Sequence, residues 1–167
     1  MKVACHYCLI KAIIGVNFLV TISCNSMRKT TSNIQFSNNP VVAHRGAFKK
    51  NNLPENSIAS LKEAIRLGCT GSEFDVRMTA DDSLIINHDP LYHKLDIEKT
   101  NYADLLQHKL SNGEKLPTLR EYILAGINDN ITTQLVCEIK PSEISKERGK
   151  NIAEKTVNLI RSLKAEK

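Results

Sequence analysis

Glu73-Phe74-Asp75-Val76 alternates carboxylates with apolar side chains. A period of two is the period of a β-strand, so the stretch reads as a strand with one acidic and one apolar face. Upstream, Ile58, Leu61 and Ile65 recur at helical spacing within residues 57–67. Asn56 or Ser57 stands where a helix N-cap belongs, and Gly68 stands where a helix closes. Earlier still, Val41-Val42-Ala43 is an apolar run that stops at His44-Arg45-Gly46, as a buried strand ending in a glycine turn does.

Downstream, Leu84-Ile85-Ile86 is a further strand leading into Asn87-His88-Asp89-Pro90. Thr118-Leu119-Arg120-Glu121 is a capping box opening a helix, with Leu119, Tyr122, Ile123 and Ile127 on one side. Residues 134–139 read as a strand ended by Pro141. Residues 147–164 read as an amphipathic helix with Ile152, Val157, Ile160 and Leu163 apolar. The order strand, helix, strand, strand, helix, strand, helix predicts βαβ units and a mainly parallel sheet. Strands buried on both faces prefer unbroken apolar sequence. Yet His44, Glu73, Asp75, His88 and Glu138 lie in or just beyond the strand-like runs. In a (β/α) barrel, strand carboxyl ends converge on one face, where catalytic groups sit.

Three carboxylates brought together repel one another unless a cation neutralises them. All-oxygen ligation suits calcium, magnesium or manganese and argues against zinc. Any one of these carboxylates alone is as readily a surface residue or half of a salt bridge. Two imidazoles, His44 and His88, can divide a phosphoryl-transfer step, one taking a proton and the other giving one. His6, His93 and His108 read as structural. Arg45 and Lys140 would suit phosphate oxygens, or would pair with the acidic residues.

His44-Arg45-Gly46, Pro54-Glu55-Asn56-Ser57, Glu73-Phe74-Asp75 and His88-Asp89 follow one another in this order. Leu116-Pro117-Thr118-Leu119 and Glu138-Ile139-Lys140 complete the series. Together they resemble the glycerophosphodiester phosphodiesterase family. The resemblance implies an α/β fold, a TIM-type (β/α) barrel, and hydrolysis of a glycerophosphodiester to glycerol 3-phosphate and an alcohol. It implies one divalent cation, Ca2+ or Mg2+, held by Glu73, Asp75 and Glu138. It makes His44 and His88 the acid/base pair, places Arg45 and Lys140 near the phosphate, and makes Glu55 an orienter of Arg45. After His88-Asp89-Pro90 the family commonly continues with a basic residue and threonines, whereas this chain reads Leu91-Tyr92-His93-Lys94.

Length and composition set the frame. The chain has 167 residues, 41% hydrophobic and 25% charged, enough for one globular domain and not a disordered composition. A (β/α)8 barrel usually takes about 250 residues. Residues 40–167 are therefore expected to be an incomplete barrel, about its N-terminal half, with self-association of that half as one way to close it. The competing expectation is an envelope lipoprotein remnant without turnover, at most binding metal or phosphate. The formal net charge is +5, but Lys2, Lys11, Arg28 and Lys29 fall before residue 40, where no acidic residue occurs. The remainder is near neutral and the aromatic content is 5%, which disfavours a nucleic-acid partner.

No run of eighteen apolar residues suggests a membrane-spanning helix. Residues 1–23 read as an export signal, with Lys2 and Lys11 for charge and an apolar stretch from Ala12 to Ile22. Ser23-Cys24 after that stretch resembles a lipoprotein signal, making Cys24 the lipidation candidate and the membrane a partner through a lipid anchor. Thr21 departs from that pattern, and a plain secretory signal or an uncleaved anchor is the alternative. The expected location is the bacterial cell envelope. Residues 24–39, rich in Ser, Thr and Asn, read as a tether. Cys5 and Cys8 lack a second pair for a zinc site. Cys69 and Cys137 read as buried thiols or as a disulfide pair.

Overall fold

In the computed structural model, which describes residues 38–166, the chain begins with β1 (Val42–Ala43), α1 (Ile58–Arg66), β2 (Gly71–Met78) and β3 (Leu84–Ile86). A two-stranded ribbon follows, β4 (Leu91–Tyr92) and β5 (Leu95–Asp96), then a 3-10 turn (Ile97–Lys99) and α2 (Tyr102–Leu105). The chain closes with α3 (Leu119–Ile127), β6 (Gln134–Ile139) and α4 (Lys146–Ser162). The expected export signal at residues 1–23, with Cys5 and Cys8, and the lipidation candidate Cys24 lie outside the described residues. So does most of the tether.

β2 is the axis of the sheet. β6 runs parallel to it from Gly71↔Gln134 to Val76↔Ile139. β1 pairs parallel with its start, Val42↔Gly71, and β3 pairs antiparallel with its end, Met78↔Leu84. Because β6 overlaps both, β1 and β3 share the opposite edge of β2. Three parallel strands with helical crossovers are thus the barrel units, and β3 is an added antiparallel strand at the carboxyl end.

The alternation in β2 sorts the layers. Phe74 and Val76 point to the helices and join Leu61, Ile86, Leu119, Tyr122 and Ile123 in the main core. The Phe74 and Tyr122 rings meet at a centroid distance of 4.7 Å. Each such side chain contributes about 1.5–3 kcal/mol through burial. Glu73, Asp75 and Arg77 take the opposite face. There Ile85 packs with Tyr92, Ile97, Leu105 and Leu116, so residues 91–116 roof the end of the sheet.

The helix signals act as expected, with Ser57 as the N-cap of α1 and Thr118–Glu121 forming the capping box of α3. Two apolar assignments do not hold. Ile127 is exposed because it is the last residue of α3. Val157 is exposed because the inward stripe of α4 runs through Ile152 and Thr156, with Ile160 and Leu163 continuing it, and leaves Val157 on the flank. Cys69 and Cys137 are both free thiols.

Candidate active site

The turn after β1 brings the first residues together. Arg45 and Gly46 both have left-handed backbones, φ +56° and +80°. A Cβ on Gly46 would lie 2.7 Å from the backbone carbon of Ser60 in α1, so only glycine fits. This turn swings the Arg45 N–H onto Glu73 Oε2 at 2.8 Å and leaves His44 Nε2 3.8 Å from the same oxygen. The Asn56 N–H donates to the Arg45 carbonyl at 2.9 Å, tying the 54–57 segment to the turn.

Glu73 and Asp75 share one face of β2, and Glu138 stands beside Asp75 in register on β6. One carboxylate oxygen from each lies within 4.8 Å of the others. Asp75 is fully buried. Its Oδ2 accepts from Asn56 Nδ2 at 2.8 Å, and its N–H donates to Asn56 Oδ1 at 3.2 Å. Lys140 Nζ lies 2.9 Å from Asp75 Oδ1 and 2.7 Å from Glu138 Oε1. Arg45 Nη1 donates to both Glu55 oxygens at 3.1 Å, and its Nε stands 3.7 Å from Asp75 Oδ2. The Arg45 and Lys140 cations are therefore engaged with carboxylates in this structure.

These contacts set the protonation balance. Burial pushes the Glu73 carboxyl up, against the Arg45 amide and with help from the Asp75 charge. Burial opposes the charge at Asp75 too, but Asn56 and Lys140 outweigh it and hold that carboxyl below the usual range. The Lys140 ammonium is raised because Glu138 and Asp75 outweigh its burial. Glu73 Oε1 is buried and accepts no hydrogen bond among the described residues. A buried carboxylate oxygen without a donor, facing two further carboxylates, fits a hard divalent cation.

His88 follows β3. Its Nδ1 lies 2.7 Å from Asp89 Oδ1, which leaves Nε2 as the ring nitrogen not engaged by Asp89. The Asn87 N–H donates to the Asp75 carbonyl at 3.1 Å, hanging this segment from β2. Cys137 lies on the helix side of β6, and burial pushes its thiol up to about 12, which argues against thiolate chemistry. Asn56 is the site residue that the sequence does not reveal. Asn56 sits next to the N-cap and reads as a cap residue, while its left-handed φ of +55° is invisible in a lone sequence.

A βα sheet with an acidic centre at the carboxyl ends of parallel strands is an arc of a (β/α)-barrel enzyme fold. The model of the glycerophosphoryl diester phosphodiesterase family matches residues 44–166, and the chain belongs to that family. It is 36% identical over 103 residues to the glycerophosphodiester phosphodiesterase of Caldanaerobacter subterraneus subsp. tengcongensis, covering 53% of this chain and 41% of the relative. It is 31% identical over 105 residues to glycerophosphodiester phosphodiesterase 1 of Homo sapiens, covering 54% of this chain and 31% of the relative.

Among solved structures, a glycerophosphodiester phosphodiesterase from Parabacteroides distasonis superposes with TM-score 0.71 at 37% identity, over 78% of this chain and 54% of that one. An Oleispira antarctica phosphodiesterase, solved with the product sn-glycerol-3-phosphate, superposes with TM-score 0.62 at 29% identity. That match covers 73% of this chain and 51% of the other. The chain thus spans about half the length of these structures.

Proposed function

We propose that this chain carries the metal and acid/base half of a glycerophosphodiester phosphodiesterase, releasing glycerol 3-phosphate and an alcohol. The observation that supports this most is the Glu73, Asp75 and Glu138 cluster, with a buried Glu73 oxygen that accepts no hydrogen bond among the described residues. In this reading the three carboxylates hold one Ca2+ or Mg2+. Such an ion supplies Lewis-acid polarisation and charge neutralisation at the phosphoryl group.

The chain's own groups do the rest. Of His44 and His88, one takes the proton of the attacking hydroxyl or water and the other protonates the departing alcohol oxygen. Asp89 orients the His88 ring and keeps Nε2 toward substrate. Arg45 and Lys140 meet phosphate oxygens, and Glu55 holds the Arg45 fork in place.

The test is glycerol 3-phosphate release from a glycerophosphodiester with calcium, with magnesium and with chelator. Turnover should require the metal and disappear in Glu73→Gln. Turnover that survives chelation or the substitution overturns the assignment.

We also propose that residues 1–23 direct export and that Cys24 anchors the chain to the bacterial envelope. The support is the charged, apolar leader that ends at Ser23-Cys24. Labelled fatty acid should be incorporated into the full chain and lost in Cys24→Ser. Equal labelling of both forms counts against the anchor.

A further inference from the structure

β2 runs on past Asp75 to Met78, and Arg77 takes the same face as Glu73 and Asp75. Its side chain is buried, with only 8% of the residue exposed. Arg77 Nε donates to the His88 carbonyl at 2.9 Å. That is the one hydrogen bond the side chain makes among the described residues. Burial lowers the Arg77 guanidinium and the charges of Glu143, Glu98, Asp75 and Asp89 act against that, but none of these carboxylates forms an ion pair with it among the described residues. Glu98 is itself fixed by Ser142 Oγ at 2.8 Å, the Glu143 N–H at 2.8 Å and Arg148 Nε at 2.9 Å.

A buried guanidinium is a costly way to satisfy one carbonyl. An apolar side chain like its strand partner Ile85 would serve packing better. The bonded carbonyl is that of His88. The rest of the segment is held on either side of that carbonyl, by the Asn87–Asp75 main-chain bond, by Asn87 Nδ2 donating to the Asp89 carbonyl at 2.8 Å, by the Ile97 N–H donating to the Pro90 carbonyl at 3.0 Å, and by the Asp89 contact to the His88 ring.

We propose that Arg77 is a positioning residue for His88, holding its main chain at a fixed height above Asp75 through the Nε bond to the His88 carbonyl. This rests on the acid/base reading of His88. Arg77 touches no reacting atom and acts through His88 alone, so its effect should vanish when the imidazole is gone.

The experiment uses the full 167-residue chain, isotopically labelled, with Arg77→Gln and the conservative Arg77→Lys. In Arg77→Gln the His88 carbonyl resonance should move, and amide exchange at residues 88 and 89 should rise about tenfold, the share of one charged hydrogen bond. Calcium affinity by calorimetry should stay within about twofold, since no carboxylate ligand loses a contact. Turnover should fall about tenfold to a hundredfold in kcat with little change in KM, within the range of one misplaced acid/base group. Arg77→Lys should recover part of it.

In a His88→Ala background, Arg77→Gln should cost nothing more. Unmoved His88 signals overturn the proposal, and so does an equal loss in both backgrounds. Failure of the underlying reading looks different: His88→Ala would keep wild-type turnover, which removes the proposal with it.

Discussion

Asn56 joins two demands in one side chain. Its amide bonds both Asp75 Oδ2 and the Asp75 N–H, and its own backbone is left-handed. Asn56→Ala removes a charged hydrogen bond and adds backbone strain, for about 3 kcal/mol of lost stability by thermal melt. Asn56→Gly relieves the strain but not the lost bonds, so it should recover about 1 kcal/mol. If Asp75 holds a cation as proposed, both variants should bind calcium about tenfold more weakly, because the carboxylate loses an orienting partner. Wild-type affinity in both would mean that Asp75 needs no orienter. Glu55 in the same segment was legible from its motif, whereas Asn56 was not, because a residue beside a helix start has an ordinary reason to be Asn. Arg77 is hidden differently: its hydrogen bond runs from β2 to the His88 carbonyl in the segment after β3, a contact no local pattern shows.

Capping and short irregular pieces divide what the elements owe to local sequence. The α3 capping box was plain in Thr118-Leu119-Arg120-Glu121. Glu121 is also held by Lys115, and burial works against its charge there, yet Lys115 and Thr118 outweigh it and hold the carboxyl below the ordinary 4.5. A depressed carboxyl contributes stability in full above its unfolded value and loses it as pH falls through its folded value. Glu121→Gln keeps the cap but not the charge. The melting difference between it and wild type should correspond to about 0.5 kcal/mol at pH 7, discounted for exposure, and fade toward pH 3. A difference that does not vary with pH would assign the whole effect to the cap. By contrast, β4, β5, the 3-10 turn and α2 carry two to four residues each, too few for any period to show. Their cohesion comes from Tyr92, Ile97, Leu105 and Leu116 meeting Ile85, a contact between segments distant in the chain.

The sheet as a whole has two unpaired flanks among the described residues, β1 on one side and the far side of β6 on the other. Val41, Val42 and Val136 are exposed along them. Open strand edges with apolar side chains template association. Sedimentation velocity should show the chain associating as concentration rises, with Val136→Lys shifting it toward monomer. A chain that stays monomeric throughout would mean the flanks are covered. The parallel order of β1, β2 and β6 followed from the strand–helix alternation, but the direction of β3 did not, because only pairing with Met78 sets it. The placement of Glu73, Asp75 and Arg77 at every second residue of β2 also bears on how such a chain can vary over evolutionary time. Side-chain swaps in this strand are local events, but a codon gained or lost between residues 71 and 78 is not. It would turn Phe74 and Val76 out of the core and drive the carboxylates in among Leu61, Leu119 and Tyr122. Descent should therefore tolerate changes of letter here and purge changes of length, so that indels accumulate in the connecting loops and spare the strand.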